Sequence, residues 1–323
     1  MLRRRLGRSE REVSVLGLGG HTYPVGDGGF RTPDERAELV ARLVEGGVNY
    51  FDTTFFNEVE LLADSFRRAG VGEGLHVSLQ HVDGISDPRW RERLRGELES
   101  RLKVMGYSRA PLFIMGVGNG CPPQGEITAA LEALHALKAE GLIEHIGLSC
   151  HELTRFTMVA QALRETRAAD YLMLRYNPKF PQAAEELLGV AQDQDVGVVA
   201  MKVFCWDCGP DQWGRRISVF DPLVPEGRIP NPGTPTAAEN SLRWVLRHPA
   251  VSAVVPAMNA MWEVEQNLLS ISRLEETVDE SLFAPYRDRL WEHESLRQLS
   301  HHAESACIRD RAAALLAGGQ LPG

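Results

Sequence analysis

Side chains able to do acid/base or anion-binding work fall at or just beyond the ends of short apolar runs in this sequence. Asp52 stands in the run 48–53, Gln80 and His81 end the run from Leu75, and Cys150 and His151 follow His145–Ser149. Arg175 and Lys202 stand in Tyr171–Tyr176 and Val196–Val203, with Asn57, Glu58 and Glu60 shortly after Asp52 and Trp206 shortly after Lys202. A carboxyl buried among apolar residues without a cation beside it titrates near neutrality and can serve as acid or base. Asp52 is therefore the first candidate acid or base, with Glu58 and His81 as helpers. Arg175 or Lys202 would bind an anionic or carbonyl group, and Asn57, Gln80, His151 and Trp206 complete the substrate-binding candidates. Structural roles stand beside these: Asp52 hydrogen-bonded to backbone, His81 as a loop residue, and Lys202 paired with Asp52 or Glu58 instead of forming a Schiff base.

Cys205-Trp-Asp-Cys208 is a CxxC, and Cys121 and Cys150 accompany it, which raises thiolate metal or redox chemistry. The usual second pair is missing, so ordinary loop thiols explain the pattern and no metal is assigned. His301-His302 lines a site or lies in solvent, the latter being the simpler reading. Gly17, Gly19 and Gly20 lack the GxGxxG spacing of a phosphate loop and suit a strand-end turn.

The elements that must position these residues are strands alternating with amphipathic helices. Runs at 13–18, 48–53, 75–80, 111–116, 145–149, 171–176, 196–203 and 251–256 are apolar nearly throughout, as buried parallel strands are. Helix-length segments separate them: Thr32-Pro33 opens one that Gly46-Gly47 ends, Ile127 to Leu137 forms another stopped by Gly141, and Thr236 could cap a third. Eight such units predict an α/β fold of the (β/α)8 barrel type, which gathers its chemistry at the carboxyl ends of the strands. The barrel spans about 13–271 in one domain. A long Pro/Gly-rich loop, Phe204 to Pro235, follows the seventh strand in the manner of a functional lid. Extra helices over about 277–316 could close the mouth.

Lys plus Arg number 35 against 44 Asp plus Glu, a net charge of −9 that argues against a nucleic-acid-binding face. The basic start at Met1–Glu10 leads into no long apolar stretch, so no membrane span is expected and the cytoplasm is the default location. Five Cys in a chain of this size predict reduced thiols. A small-molecule substrate is the expected partner, with the oligomeric state left open.

Gly47-Val-Asn-Tyr-Phe-Asp-Thr53 resembles the second strand of the aldo-keto reductases, and Gly141-Leu-Ile-Glu-His-Ile-Gly-Leu-Ser149 is similar to their fifth-strand signature. Leu242-Arg-Trp-Val-Leu, Val255-Pro256 and Gln266-Asn267 resemble the last βα unit. Arg5-Leu-Gly-Arg with Val15-Leu-Gly-Leu-Gly-Gly20 looks like the opening hairpin and first strand. The resemblance implies a barrel that reduces carbonyls with NADPH, using a Tyr acid, a Lys that lowers its pKa, an Asp that pairs with the Lys, and a His that orients substrate. Only the Asp is matched, by Asp52. Asn57 or Phe55 takes the Tyr position, Gln80 that of the Lys, and Gly116 that of the His. For the cofactor, Ser149 and Asn267 match residues that hold nicotinamide and adenine, and Met201-Lys202 replaces a stacking aromatic as in some branches. Cys150 and Met173 replace an Asn and a Gln, and Glu263 stands where an Arg often meets the 2′-phosphate. The implied NADPH site is eroded, and whether it binds cofactor is left open.

These readings lead to an aldo-keto-reductase-like enzyme repurposed for acid/base chemistry, such as elimination, isomerisation or cyclisation, on a small organic substrate. The alternatives are an NAD(P)H-dependent reductase with another proton donor and a non-catalytic binding or regulatory protein.

Overall fold

The computed structural model describes residues 1–20, 32–81, 88–117, 124–150, 156–178, 184–204 and 237–283. Cys121, His151, Cys205, Trp206, Cys208, Thr236, His301 and His302 lie outside these residues, as do the long loop beyond Phe204 and the helices expected after residue 283.

A short antiparallel hairpin opens the chain, β1 (Arg3–Arg5) against β2 (Glu12–Ser14). One sheet follows, in sequence order and parallel throughout. Its strands are β3 (Tyr50–Thr53), β4 (His76–His81), β5 (Ala110–Gly116), β6 (Ile143–Cys150), β7 (Tyr171–Arg175), β8 (Gly197–Met201) and β9 (Val251–Val254). Helices alternate with them: α1 (Pro33–Glu45), α2 (Phe56–Ala69), α3 (Trp90–Met105), α4 (Gln124–Ala139), α5 (Phe156–Thr166), α6 (Glu185–Asp193), α7 (Ala237–Leu246) and α8 (Met261–Ser272). The predicted cap of α1 is present, because the Glu35 amide donates to Thr32 Oγ1 at 3.3 Å while Glu35 Oε2 accepts from the Thr32 amide at 2.7 Å.

The run predicted as a first strand at 13–18 divides. Val13 and Ser14 pair with β1, whereas the next residues complete the ring between β9 and β3. The Val254 amide donates to Val15 O at 2.9 Å and the Gly17 amide to Val254 O at 2.8 Å; on the other side the Leu18 amide donates to Tyr50 O at 3.0 Å and the Asp52 amide to Leu18 O at 2.8 Å. Seven regular strands plus this segment make the eight-membered barrel. Its glycines also allow close approach: a Cβ on Gly17 would lie 2.9 Å from Tyr50 O, and one on Gly20 would lie 2.5 Å from Glu58 Oε2.

Period-two alternation sorts the strand side chains into two sets. Tyr50, Leu112, Ile114, Tyr171, Met173, Val199, Met201, Ala253 and Val255 form the interior cluster. Their neighbours, among them Phe51, Val77, Leu79, Phe113, Leu148, Leu172, Leu174 and Val198, pack outward against the helices. Leu6 and Val13 of the hairpin enter the interior cluster from the amino-terminal end and are fully buried. Gly7 makes this contact, holding φ 52° and leaving only 2.1 Å between a would-be Cβ and Gly197 N.

Candidate active site

The two-residue period puts Asp52 on the same side of β3 as Tyr50, inside the barrel, and turns Thr53 outward. The Asp52 side chain is buried, and its Oδ1 has no hydrogen-bond partner among the described residues. Burial is the largest influence on its carboxyl and, with the nearby charge of Glu58, raises its pKa from 3.8 to about 8 against the opposing pull of the Gly20 and Thr53 amides and of Lys202. Close to Asp52 stand hydroxyls that the sequence reading passed over. Tyr50 Oη is buried without a partner among the described residues, and Ser78 Oγ and Tyr171 Oη approach to 3.4 Å. Burial and the adjacent carboxyl hold Tyr50 far above the normal phenol range, so it stays neutral, and burial does the same to Tyr171. The only advance signal of these groups was their spacing of two from strand residues already singled out.

Gln80, Ser149 and Arg175 share the interior parity of their strands and are all buried. Ser149 Oγ is a further buried polar atom without a partner among the described residues, and its residue pairs in register with Gly116 and Met173. Met201, opposite Arg175 in the β7/β8 ladder, belongs to the interior cluster. Lys202 follows it, partly buried, with φ 57°.

His81 faces the other way. Position 81 shares the outward parity of Val77 and Leu79, and its ring, fully buried between sheet and helix, meets α3 with Nδ1 at 2.9 Å from Glu97 Oε2. Arg101 reaches the same carboxylate oxygen at 3.2 Å, and the His81 bond, the first cause, helps hold Glu97 below the usual carboxylate range. The structure therefore does not bring His81 together with Asp52. Cys150 has the same outward parity and packs in the sheet–helix layer.

Glu58 is fully buried at the start of α2, where Oε2 accepts the amides of Thr54 at 2.6 Å and Phe55 at 3.2 Å. It stands at the third helical position, so this is half of a capping box, and the carboxylate's first task is to satisfy helix-end donors. Asn57 and Glu60, on the same helix, are exposed. Asn267 is buried on α8. Glu263 repeats the Glu58 arrangement at the start of α8, accepting from the Asn259 amide and from the Ala260 amide at 2.9 Å.

Comparison with known proteins places this arrangement in context. A family model described as the aldo/keto reductase family matches residues 15–205, more than half of the chain. YqkF of Bacillus subtilis strain 168, named as an uncharacterized oxidoreductase, is 21% identical over 288 residues, which is 83% of this chain and 90% of that protein. Among solved structures, PA4992 of Pseudomonas aeruginosa, provisionally described as an aldo-keto reductase, superposes with a TM-score of 0.65 at 22% identity, covering 85% of this chain and 96% of that one. Aldo-keto reductase AKR11C1 of Bacillus halodurans, in its holo form, gives 0.61 at 17% identity, covering 89% and 100%. At such identities the superpositions speak for the fold; the family match, running from the strand segment that completes the ring to the end of the described β8 region, speaks for descent. This chain belongs to the aldo/keto reductase family.

Proposed function

We propose that this chain is an enzyme of the aldo-keto reductase barrel in which Asp52 transfers protons to and from a small organic substrate carrying an anionic or carbonyl group. Elimination, isomerisation and cyclisation are the reaction types that need only such a step. The observation that carries the reading is the buried Asp52 carboxyl, with one oxygen unclaimed by the described residues and a pKa of about 8. A group with that pKa is protonated in roughly nine molecules of ten at pH 7, so it can deliver a proton to a developing oxyanion or leaving group and take one back. The interior parity of Arg175 and the charge of Lys202 on Asp52 support these two as the groups that offset negative charge developing on the substrate. Phe55 and Asn57, the residues that the resemblance puts at the Tyr position, stand exposed at the start of α2, which supports a proton donor other than that Tyr.

The 2′-phosphorylated dinucleotide fits this chain poorly. Ser149 Oγ and the buried Asn267 suit a nicotinamide and an adenine, but the Glu263 carboxylate already occupies the amides at the start of α8, where its charge would oppose a 2′-phosphate. No step here runs through a dinucleotide. The name of the B. subtilis relative keeps a second reading in view, that of an NAD(P)H-dependent reductase with a different proton donor. Titration of NADPH and NADH fluorescence separates the two, since tight binding favours reduction and none at millimolar cofactor removes it.

The direct test is a mixed pool of small carbonyl and hydroxy acids in deuterium oxide, followed by mass spectrometry. Wild-type protein should place deuterium on carbon or convert a pool member without added cofactor, and Asp52→Asn should slow this by about a hundredfold or more. Turnover that survives the substitution unchanged removes Asp52 from the chemistry.

A further inference from the structure

Lys202 is a non-glycine residue with a left-handed backbone, φ 57°, at the carboxyl end of β8. Such a conformation costs about 1 kcal/mol or more and persists where the surroundings enforce it. Several groups do so here. Asn177, 2% exposed, donates from Nδ2 to Lys202 O at 3.0 Å. The fully buried Ser241 of α7 donates from Oγ to Val203 O at 2.5 Å. Phe204 then packs against a small cluster of Ala237, Val278 and Phe283. The segment carrying Val278 and Phe283 is itself tied down: Arg243, 1% exposed, bonds Glu276 Oε2 at 2.8 Å and Asn240 Oδ1 at 3.3 Å, and Asn240 Oδ1 also accepts the Asp279 amide at 2.8 Å. Three consecutive residues after β8 are thus each gripped from a different direction, by β7's end, by α7 and by the chain beyond α8.

We propose that Asn177, Ser241 and the Arg243-anchored segment 273–283 form a clamp whose task is to position Lys202, fixing the direction its side chain leaves β8 by locking the backbone that carries it, and so the charge it sets on Asp52. The inference rests on the reading of Asp52 as the proton-transfer group. Asn177 and Ser241 are then positioning residues that act through Lys202. A merely structural clamp would lower stability when damaged and leave the titration of Asp52 where it was, whereas a positioning clamp must move it, because Lys202 favours the ionised carboxylate.

The test reads the Asp52 midpoint from the pH dependence of the difference in unfolding free energy between each background and the same background carrying Asp52→Asn. Lys202→Met should raise the midpoint by about half a unit or more. Asn177→Ala should raise it comparably, and the double variant Lys202→Met/Asn177→Ala should lie no higher than Lys202→Met alone. Ser241→Ala, which removes one hydroxyl, is the second single variant should Asn177→Ala fold poorly, with the same direction expected. An unmoved midpoint in Asn177→Ala and Ser241→Ala, an unmoved midpoint in Lys202→Met, or additive shifts in the double variant each overturn the clamp. An ordinary carboxylate midpoint in the wild type would count against Asp52 as acid or base, but the comparison between backgrounds alone decides the positioning role.

Discussion

Replacing Asp52 by Asn should stabilise the folded protein, by an amount that grows with pH. In the folded chain the carboxyl holds its proton up to about pH 8, while in the unfolded chain it releases it near 3.8. Between those values the folded state binds more protons than the unfolded state, so stability falls as pH rises, by about 1.4 kcal/mol per unit for this one group. The accumulated cost is about 4 kcal/mol at pH 7 and levels off above pH 8. Asn keeps an oxygen for the Gly20 and Thr53 amides but buries an amide with an incomplete set of partners, which returns about 1–3 kcal/mol. The net gain at pH 7 is therefore about 2 kcal/mol, or a rise of several degrees in Tm, while at pH 4 the variant is no more stable than wild type. Urea unfolding followed by far-UV circular dichroism at pH 5, 6, 7 and 8 provides the measurement, with the midpoint difference as readout. Wild-type and Asp52→Asn curves that run parallel across this range would refute the reasoning, since they would mean that the carboxyl ionises as it does in water.

Other perturbations follow from the same geometry. Gly7→Ala should destabilise by about 3 kcal/mol or more, because the new methyl would meet the Gly197 backbone at 2.1 Å with φ already positive; thermal melting reads it, and an unchanged Tm contradicts the close approach. Glu58→Ala should cost about 1–2 kcal/mol by exposing the Thr54 and Phe55 amides, and Glu58→Gln should recover much of that in the same unfolding assay if capping outweighs charge. Asp170 is pushed up by burial but pulled down further by His145, the Ile146 amide and Lys138, to about 2. Its stabilisation is present above the unfolded value of 3.8 and lost as pH falls through 2, so Asp170→Asn should cost about 2 kcal/mol at pH 7, with the gap from wild type closing in acid titration.

Much of the barrel was legible because buried parallel strands are apolar on both faces and helix ends carry their own signals, as at Thr32 and Glu35. What sequence blurred was anything that depends on a single residue of phase. Gln80 and His81 are adjacent, yet one enters the barrel and the other the helix layer. A run at 13–18 shows continuous apolar character while serving two sheets in turn. β6 starts at Ile143, earlier than its apolar run suggests, since Ile143 already pairs with Ala110 of β5 and the charge that interrupts the run, Glu144, is met by Arg11 and by Arg109 at 2.5 Å. Glu58 and Glu263 read as charges near a mouth, and both turn out to be spent on helix amides that pattern alone does not reveal. Asn177 and Ser241 escaped notice because their partners lie 25 and 38 residues away.

The hairpin that enters the barrel from below has a kinetic consequence. With Leu6 and Val13 packed into the interior cluster and Gly7 pressed onto Gly197, the described residues close the amino-terminal end of the barrel. On the proposed function, a substrate of Asp52 therefore arrives and departs at the carboxyl ends of the strands. If entry and exit share that end, product should compete with substrate, and a sluggish exit would cap turnover however fast the proton moves.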